Sequence, residues 1–184
     1  MPNHILLDQL DRFVPYDAEE AAMVAHTRQF VTTHEDCMDR LLQIGHITGS
    51  AWILDGATQG HALLTHHRKL GKWFQLGGHS EGENDVLAVA WREAQEESGL
   101  SSLRLLDKDI FSVDVHPIPA RRDFPEHLHF DIRFLFVANR EEPLLQSAES
   151  TDLRWVALET IEKLNNSPSV MRMVAKSIGS KMKI

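Results

Sequence analysis

At 184 residues, 42% of them hydrophobic and 25% charged, the chain has the composition of one soluble globular domain with a single core. Its net charge of −8 excludes broad electrostatic affinity for nucleic acid or an anionic membrane, because both require a basic surface that displaces counterions. The lone cysteine, Cys37, excludes an internal disulfide and paired-thiolate metal sites. The mixed residues 1–12 show neither a secretory signal nor a membrane span, so a cytoplasmic setting is expected.

The first 44 residues are expected to be helical and to form an extension ahead of a main domain over residues 45–184. Asp17 followed three positions later by Glu20 is a capping-box-like start, and Ala21, Val24, Ala25 and Arg28 continue at helical spacing. A second short helix is expected after Thr33 as cap, with Cys37, Met38, Leu41 and Leu42 as its apolar stripe. From Gly45 the period falls to two. Ile47, Ala51 and Ile53 run to Asp55-Gly56, and Ala62 to Thr65 follow the Gln59-Gly60 turn, which predicts a hairpin.

After a central loop and helix come strands at Phe111–Ile118, Leu128–Ala138 and Leu153–Val156, then two helical segments, the last opening at Ser167-Pro168. Helices and strands are interleaved without repeats or flexible linkers, which predicts one mixed α/β domain.

The chemistry concentrates in residues 77–100, a Gly-Gly loop running into a helix. Asn84 or Asp85 can cap that helix, Val86, Leu87, Ala90 and Ala94 form its apolar stripe, and Gly99-Leu100 is a helix stop. Glu93, Glu96 and Glu97 are mutual neighbours on one helix face, where like charges cost a few tenths of a kcal/mol per pair. A hard cation such as Mg²⁺, which takes carboxylate oxygens together with substrate phosphates, removes that cost. Gly77 and Gly78 allow a tight approach of backbone to ion or phosphate.

Residues 92–100, reading R-E-A-Q-E-E-S-G-L, resemble the second half of the Nudix box at every defined position. The first half places its glycine at Gly78 and its glutamate at Asn84, where the chain departs from the pattern; Glu83 and Asp85 flank it with carboxylates. The resemblance covers about residues 45–163. It implies an α/β/α sandwich with a mixed sheet, binding Mg²⁺ or Mn²⁺ and hydrolysing a diphosphate linkage in a small molecule. By position it implies Gly77 as a carbonyl ligand, Glu96 and Glu97 as principal carboxylate ligands, Glu93 as ligand or general base, and Arg92 as the residue that orients Glu93.

Several features around the box invite functional readings. Ser112, Asp114 and His116, then His127, His129, Asp131 and Arg133, alternate with apolar residues, so each set shares a strand face. Those faces either wall the substrate cleft, with His127 and His129 reaching phosphate or metal, or are solvated; an H-x-H pair with an acid also suits a transition metal. Arg68 and Lys69 are candidate phosphate donors, or charges protecting an edge strand. Glu149, six positions before Trp155, resembles an additional acidic ligand used by some Nudix hydrolases.

The expected partner is therefore a small-molecule diphosphate. The N-terminal helices can cap the cleft, pack as core or build a homodimer. Two rivals remain at this level: a Nudix-fold sensor with weakened turnover, suggested by Asn84, and an isoprenoid diphosphate isomerase, which Cys37 is poorly placed to serve.

Overall fold

A computed structural model describes residues 3–148 and 150–179. Two helices, α1 (His4–Arg12) and α2 (Ala18–Thr33), precede strands β1 (Gly45–Asp55), β2 (His61–His67), β3 (Lys72–Phe74) and β4 (Leu76–His79). Helix α3 (Val86–Ser98) is followed by β5 (Arg104–Leu105), β6 (Ser112–Ile118), β7 (His127–Ala138) and β8 (Ser150–Ala157). A 3₁₀ turn (Leu158–Lys163) and α4 (Pro168–Gly179) complete the described chain.

The centre is a parallel pairing of β1 with β7, in register from Gly45 beside Leu128 to Asp55 beside Ala138. Strand β1 pairs antiparallel with β4 at its start and with β2 at its end, while β6 lies antiparallel against β7. Period-two alternation divides this sheet into two unlike faces. Ile47, Ala51, Ile53, Phe130, Ile132, Phe134 and Phe136 point to one side, where they pack with Val86, Ala90 and Ala94 of α3 and Phe30 and Val31 of α2. On the other side Trp52, Leu54, Leu135 and Val137 pack under Val170, Met173 and Val174 of α4. The α/β/α sandwich is thus the direct result of a central strand pair that is buried on both faces.

The expected hairpin, the central helix and the long later strands are present. The short strands β3, β4 and β5 carry too few residues to show a period. The helix expected after Thr33 does not form. Thr33 ends α2, its Oγ1 donating back to the Gln29 carbonyl, and the next residues make four-residue turns such as Cys37 N–H to His34 O and Leu42 N–H to Asp39 O. Cys37 and Met38 are buried while Leu41 is exposed, so those four apolar residues do not share one face. Burial raises the Cys37 thiol to about 11 with help from Asp36, so it is an inert packing group.

The buried face of α2 also lies one position away from the expected stripe. Ala21, Ala25 and Arg28 are exposed, and Glu20, Thr27, Phe30 and Val31 face inward. A variant of the capping box forms: the Asp17 carboxylate accepts from Glu20 N–H at 2.7 Å, and the Glu20 carboxylate accepts from the N–H of Tyr16, one residue before the cap, at 2.7 Å. Glu20 does more than cap. Its other oxygen accepts from Ser112 Oγ at 2.6 Å and Val113 N–H at 3.1 Å, and Lys176 Nζ of α4 lies 3.2 Å away. With Phe30 stacked on Phe130 at 4.1 Å, the N-terminal helices share the core of the sheet.

No helix among the described residues is long and apolar enough to cross a membrane. Because Glu20 is fully buried beside a largely buried lysine, Glu20→Ala leaves an uncompensated charge and should destabilise the fold by about 3 kcal/mol. Glu81→Ala, which removes an exposed pair with Arg40, should cost less than about 1 kcal/mol. Denaturant unfolding of the two variants measures the contrast.

Candidate active site

Asp85 is the helix cap of α3, its carboxylate accepting from Leu87 N–H at 3.1 Å and Ala88 N–H at 3.2 Å. Glu83 in turn accepts from Asp85 N–H at 2.9 Å. Both carboxylates flanking Asn84 therefore serve the helix start. At the other end Gly99 has φ 69, the left-handed conformation, and its N–H donates to the Gln95 carbonyl, while Leu100 is buried.

Between these ends α3 lies directly on the sheet, and a pair of glycines makes that possible. Gly49 and Gly78 are register partners on β1 and β4. A Cβ at Gly49 would lie 2.9 Å from the Val86 carbonyl oxygen, and one at Gly78 would lie 2.5 Å from the Glu93 carboxyl carbon. Any side chain at Gly78 would therefore occupy the space of the Glu93 carboxylate.

Arg92 donates through one Nη to the His79 carbonyl at 3.0 Å and to Glu93 Oε1 at 2.7 Å, and Glu93 chiefly holds the guanidinium pKa up. Gly77 N–H donates to Glu97 Oε2 at 3.1 Å. The Gly-Gly segment expected as a loop is thus part of strand β4, paired with β1, and it meets the helix through Gly77, Gly78, Arg92, Glu93 and Glu97. Glu93 and Glu97 are half-buried, whereas Glu96 is exposed on the adjoining turn, close enough to Arg92 to contribute to its raised pKa. This donor set is wholly oxygen, with carboxylates already oriented by an arginine and a backbone amide, and it fits a hard divalent cation.

Across β1 from the box the alternating polar residues form a wall that is buried, not solvated. Asp131 accepts from Thr48 Oγ1 at 3.0 Å, Ser50 Oγ at 2.7 Å, Gln75 Nε2 at 3.0 Å and Arg133 Nε at 2.7 Å. Arg133 also donates to Asp114 at 3.2 Å and to Ser169 Oγ on α4 at 2.6 Å. Burial works to raise the Asp114 carboxyl, but Arg133 and His116 outweigh it and hold its pKa well below the carboxylate range. Burial likewise opposes the charge on Arg133, and the two aspartates more than restore it.

Beyond this network the wall is imidazole. His127 and His129 do come together, and they meet His46, whose Nε2 lies 3.1 Å from Nε2 of His129. His46 was not singled out in the sequence, although its alternation with Thr48 and Ser50 on β1 carries the same period-two signal as the later strands.

Arg68 and Lys69 lie in the exposed turn between β2 and β3. The Arg68 guanidinium donates to the Ala148 and Ser150 carbonyls, both at 3.1 Å, so it ties down the start of β8. Glu149 lies outside the described residues. Two surface concavities, one containing Asp55 and Arg140 and the other Tyr16 and Lys176, include no box residue.

The family model described as NUDIX domain matches residues 46–176. The chain belongs to this family. Its enzyme class is accordingly that of the Nudix-type pyrophosphohydrolases, which act on acid anhydrides in phosphorus-containing compounds.

Similar solved structures include a binary complex of the C. elegans Ap4A hydrolase, with 18% identity, a TM-score of 0.59, and 72% of this chain and 95% of that one covered. The E. coli dihydroneopterin triphosphate pyrophosphohydrolase has 16% identity and a TM-score of 0.59, covering 73% and 96%. The MutT protein from Methanosarcina mazei Go1 has 21% identity and a TM-score of 0.56, covering 78% and 99%. At these identities the likeness is one of fold. A search of curated proteins found no significant match.

The lowered pKa of Asp114 sets the sign of one pH effect. Its stabilisation is fully present above the ordinary carboxylate value of 3.8 and is lost as pH falls through the lower folded value. The stability difference between the native chain and Asp114→Asn should therefore be constant from neutrality to about pH 5 and shrink below about pH 4, as followed by urea unfolding against pH.

Proposed function

We propose that the chain is a Mg²⁺- or Mn²⁺-dependent hydrolase of a diphosphate linkage in a nucleoside diphosphate derivative or a related small molecule. The observation that carries the reading is the seating of the Glu93 carboxylate against Gly78 with Arg92 bonded to it, beside Glu97 on the Gly77 amide. Glu96, Glu97 and Glu93, with the Gly77 backbone, are the groups that would hold the ion. A divalent cation bound there supplies charge neutralisation for phosphoryl oxygens and acidifies a coordinated water.

The chain's own residues supply the rest. Glu93 is proposed to hold the ion or to take a proton from the attacking water, and Arg92 fixes that carboxylate by a 2.7 Å hydrogen bond. Gly78 keeps the Glu93 carboxylate clear of a side chain, and Gly77 lets β4 lie close against Ser50 of β1. Lys69, exposed on the turn after β2, is the proposed phosphate donor, while Arg68 beside it is held by the Ala148 and Ser150 carbonyls.

Glu97→Gln preserves size and removes the charge. It should lower kcat by about a hundredfold or more, the scale seen when a charge-stabilising group is lost, while circular dichroism and the unfolding midpoint stay near the native values. The substrate panel should span nucleoside triphosphates, sugar nucleotides and dinucleotides, and include Ap4A and dihydroneopterin triphosphate, with products identified by mass. Binding without turnover of any member, in Mg²⁺ or Mn²⁺, would favour the sensor reading that Asn84 suggests. Wild-type turnover by Glu97→Gln would refute the assignment of that carboxylate.

A further inference from the structure

Five imidazoles crowd one end of the polar wall. His46 opens β1, His127 and His129 open β7, His79 ends β4 and His116 lies on β6. Their ring centroids are separated by 4.7 Å for His46 and His129, 5.0 Å for His46 and His127, 5.1 Å for His46 and His79, and 5.7 Å for His116 and His129. The β1–β7 register puts His46 directly beside His129, so this contact is built into the ladder.

In three of these rings, the ligand atoms of His46, His127 and His129 all lie within 4.8 Å of one another. Among the described residues no other group of metal-ligating side chains meets that separation. We propose that His46, His127 and His129 form a second cation site, separate from the glutamate helix, that binds a borderline transition ion of the Zn²⁺ class through three neutral imidazoles and leaves a fourth position open.

Nε2 of His46 faces Nε2 of His129 at 3.1 Å. Two nitrogens bound to one Zn²⁺ at about 2.0–2.1 Å in tetrahedral geometry are separated by about 3.3 Å, so this pair already spans nearly the edge that an ion requires. Without an ion, two facing imidazole nitrogens must share one proton as donor and acceptor.

One of the three tautomers is set by the backbone. His127 Nδ1 lies 2.9 Å from the Pro125 carbonyl, an acceptor, so Nδ1 carries the proton and Nε2 is left with its lone pair. His46 Nδ1 is buried without a hydrogen-bond partner, and its Nε2 is the nitrogen that faces the cluster. Imidazole ligates a metal in its neutral form, so an ion at this site competes only with protons for the three rings.

The donor set decides the kind of ion. Imidazole suits Zn²⁺, Co²⁺ and Ni²⁺, whereas Mg²⁺ takes oxygen. The carboxylate nearest in the pattern, Asp131, is occupied by Arg133, Thr48, Ser50 and Gln75, and Asp114 by Arg133 and His116. The site therefore has no oxygen ligand that would recruit Mg²⁺, which separates it chemically from the box across β1.

The test uses the full-length, untagged chain, titrated with Zn²⁺ and with Co²⁺ and assayed for bound metal by mass spectrometry and for visible Co²⁺ ligand-field bands. One equivalent should bind to the native chain and equally to the double variant Glu93→Gln/Glu97→Gln. Binding should weaken more than about tenfold in His46→Ala and in His127→Gln, since even the loss of an outer-shell partner costs that much. His127 sits at the start of its strand, so His127→Gln keeps the test decisive if His46→Ala fails to fold. Absence of bound Zn²⁺ in the native chain, undiminished binding in a folded histidine variant, or loss of binding in the double glutamate variant would each overturn the proposal.

Discussion

The parallel pairing of β1 with β7 is the constraint on which the rest of the molecule depends. Two strands some 80 residues apart in sequence are locked from Gly45 beside Leu128 to Asp55 beside Ala138, and a slip of one residue would turn every side chain to the opposite face. In the observed register all apolar positions on one face meet α2 and α3. On the other face the apolar ends of both strands lie under α4, and their polar beginnings form a wall of hydroxyl, carboxylate, guanidinium and imidazole groups.

That wall is held by charge pairing that burial makes obligatory. Arg133 is almost inaccessible, between Asp131 and Asp114, and its remaining donor reaches Ser169 on α4. Burying such groups is costly, and a matched apolar set would often be equally stable or more so. What the ions contribute is position: Asp131 gathers donors from β1, from β7 and from Gln75 between β3 and β4, so the chain entering β4 is fixed relative to the sheet. The Gly49–Gly78 pair then lets α3 approach closely enough for the Glu93 carboxylate to occupy the place of a missing side chain.

Much of this was legible because it is local. The Asp17–Glu20 box, the Asp85 cap and the Gly99-Leu100 stop each operate within one helix turn, and the spacing of Arg92, Glu93, Glu96 and Glu97 is a property of one helix. The readings that failed needed information from distant parts of the chain. Glu20 shows only its capping role in the sequence until Ser112, Val113 and Lys176 are brought to it. Cys37, Met38, Leu41 and Leu42 look like a stripe until Ile47 N–H binds the Cys37 carbonyl, part of a turn-rich segment running into β1.

The sequence by itself determined the family, the glutamate helix with its caps and the alternation of the long strands, because short-range spacing controls all three. The tertiary structure decided which alternating face was buried and which residues met across it. Whether Asp131 is solvated or paired, and whether His129 stands alone or beside His46, depends on strand register between segments that no local pattern connects.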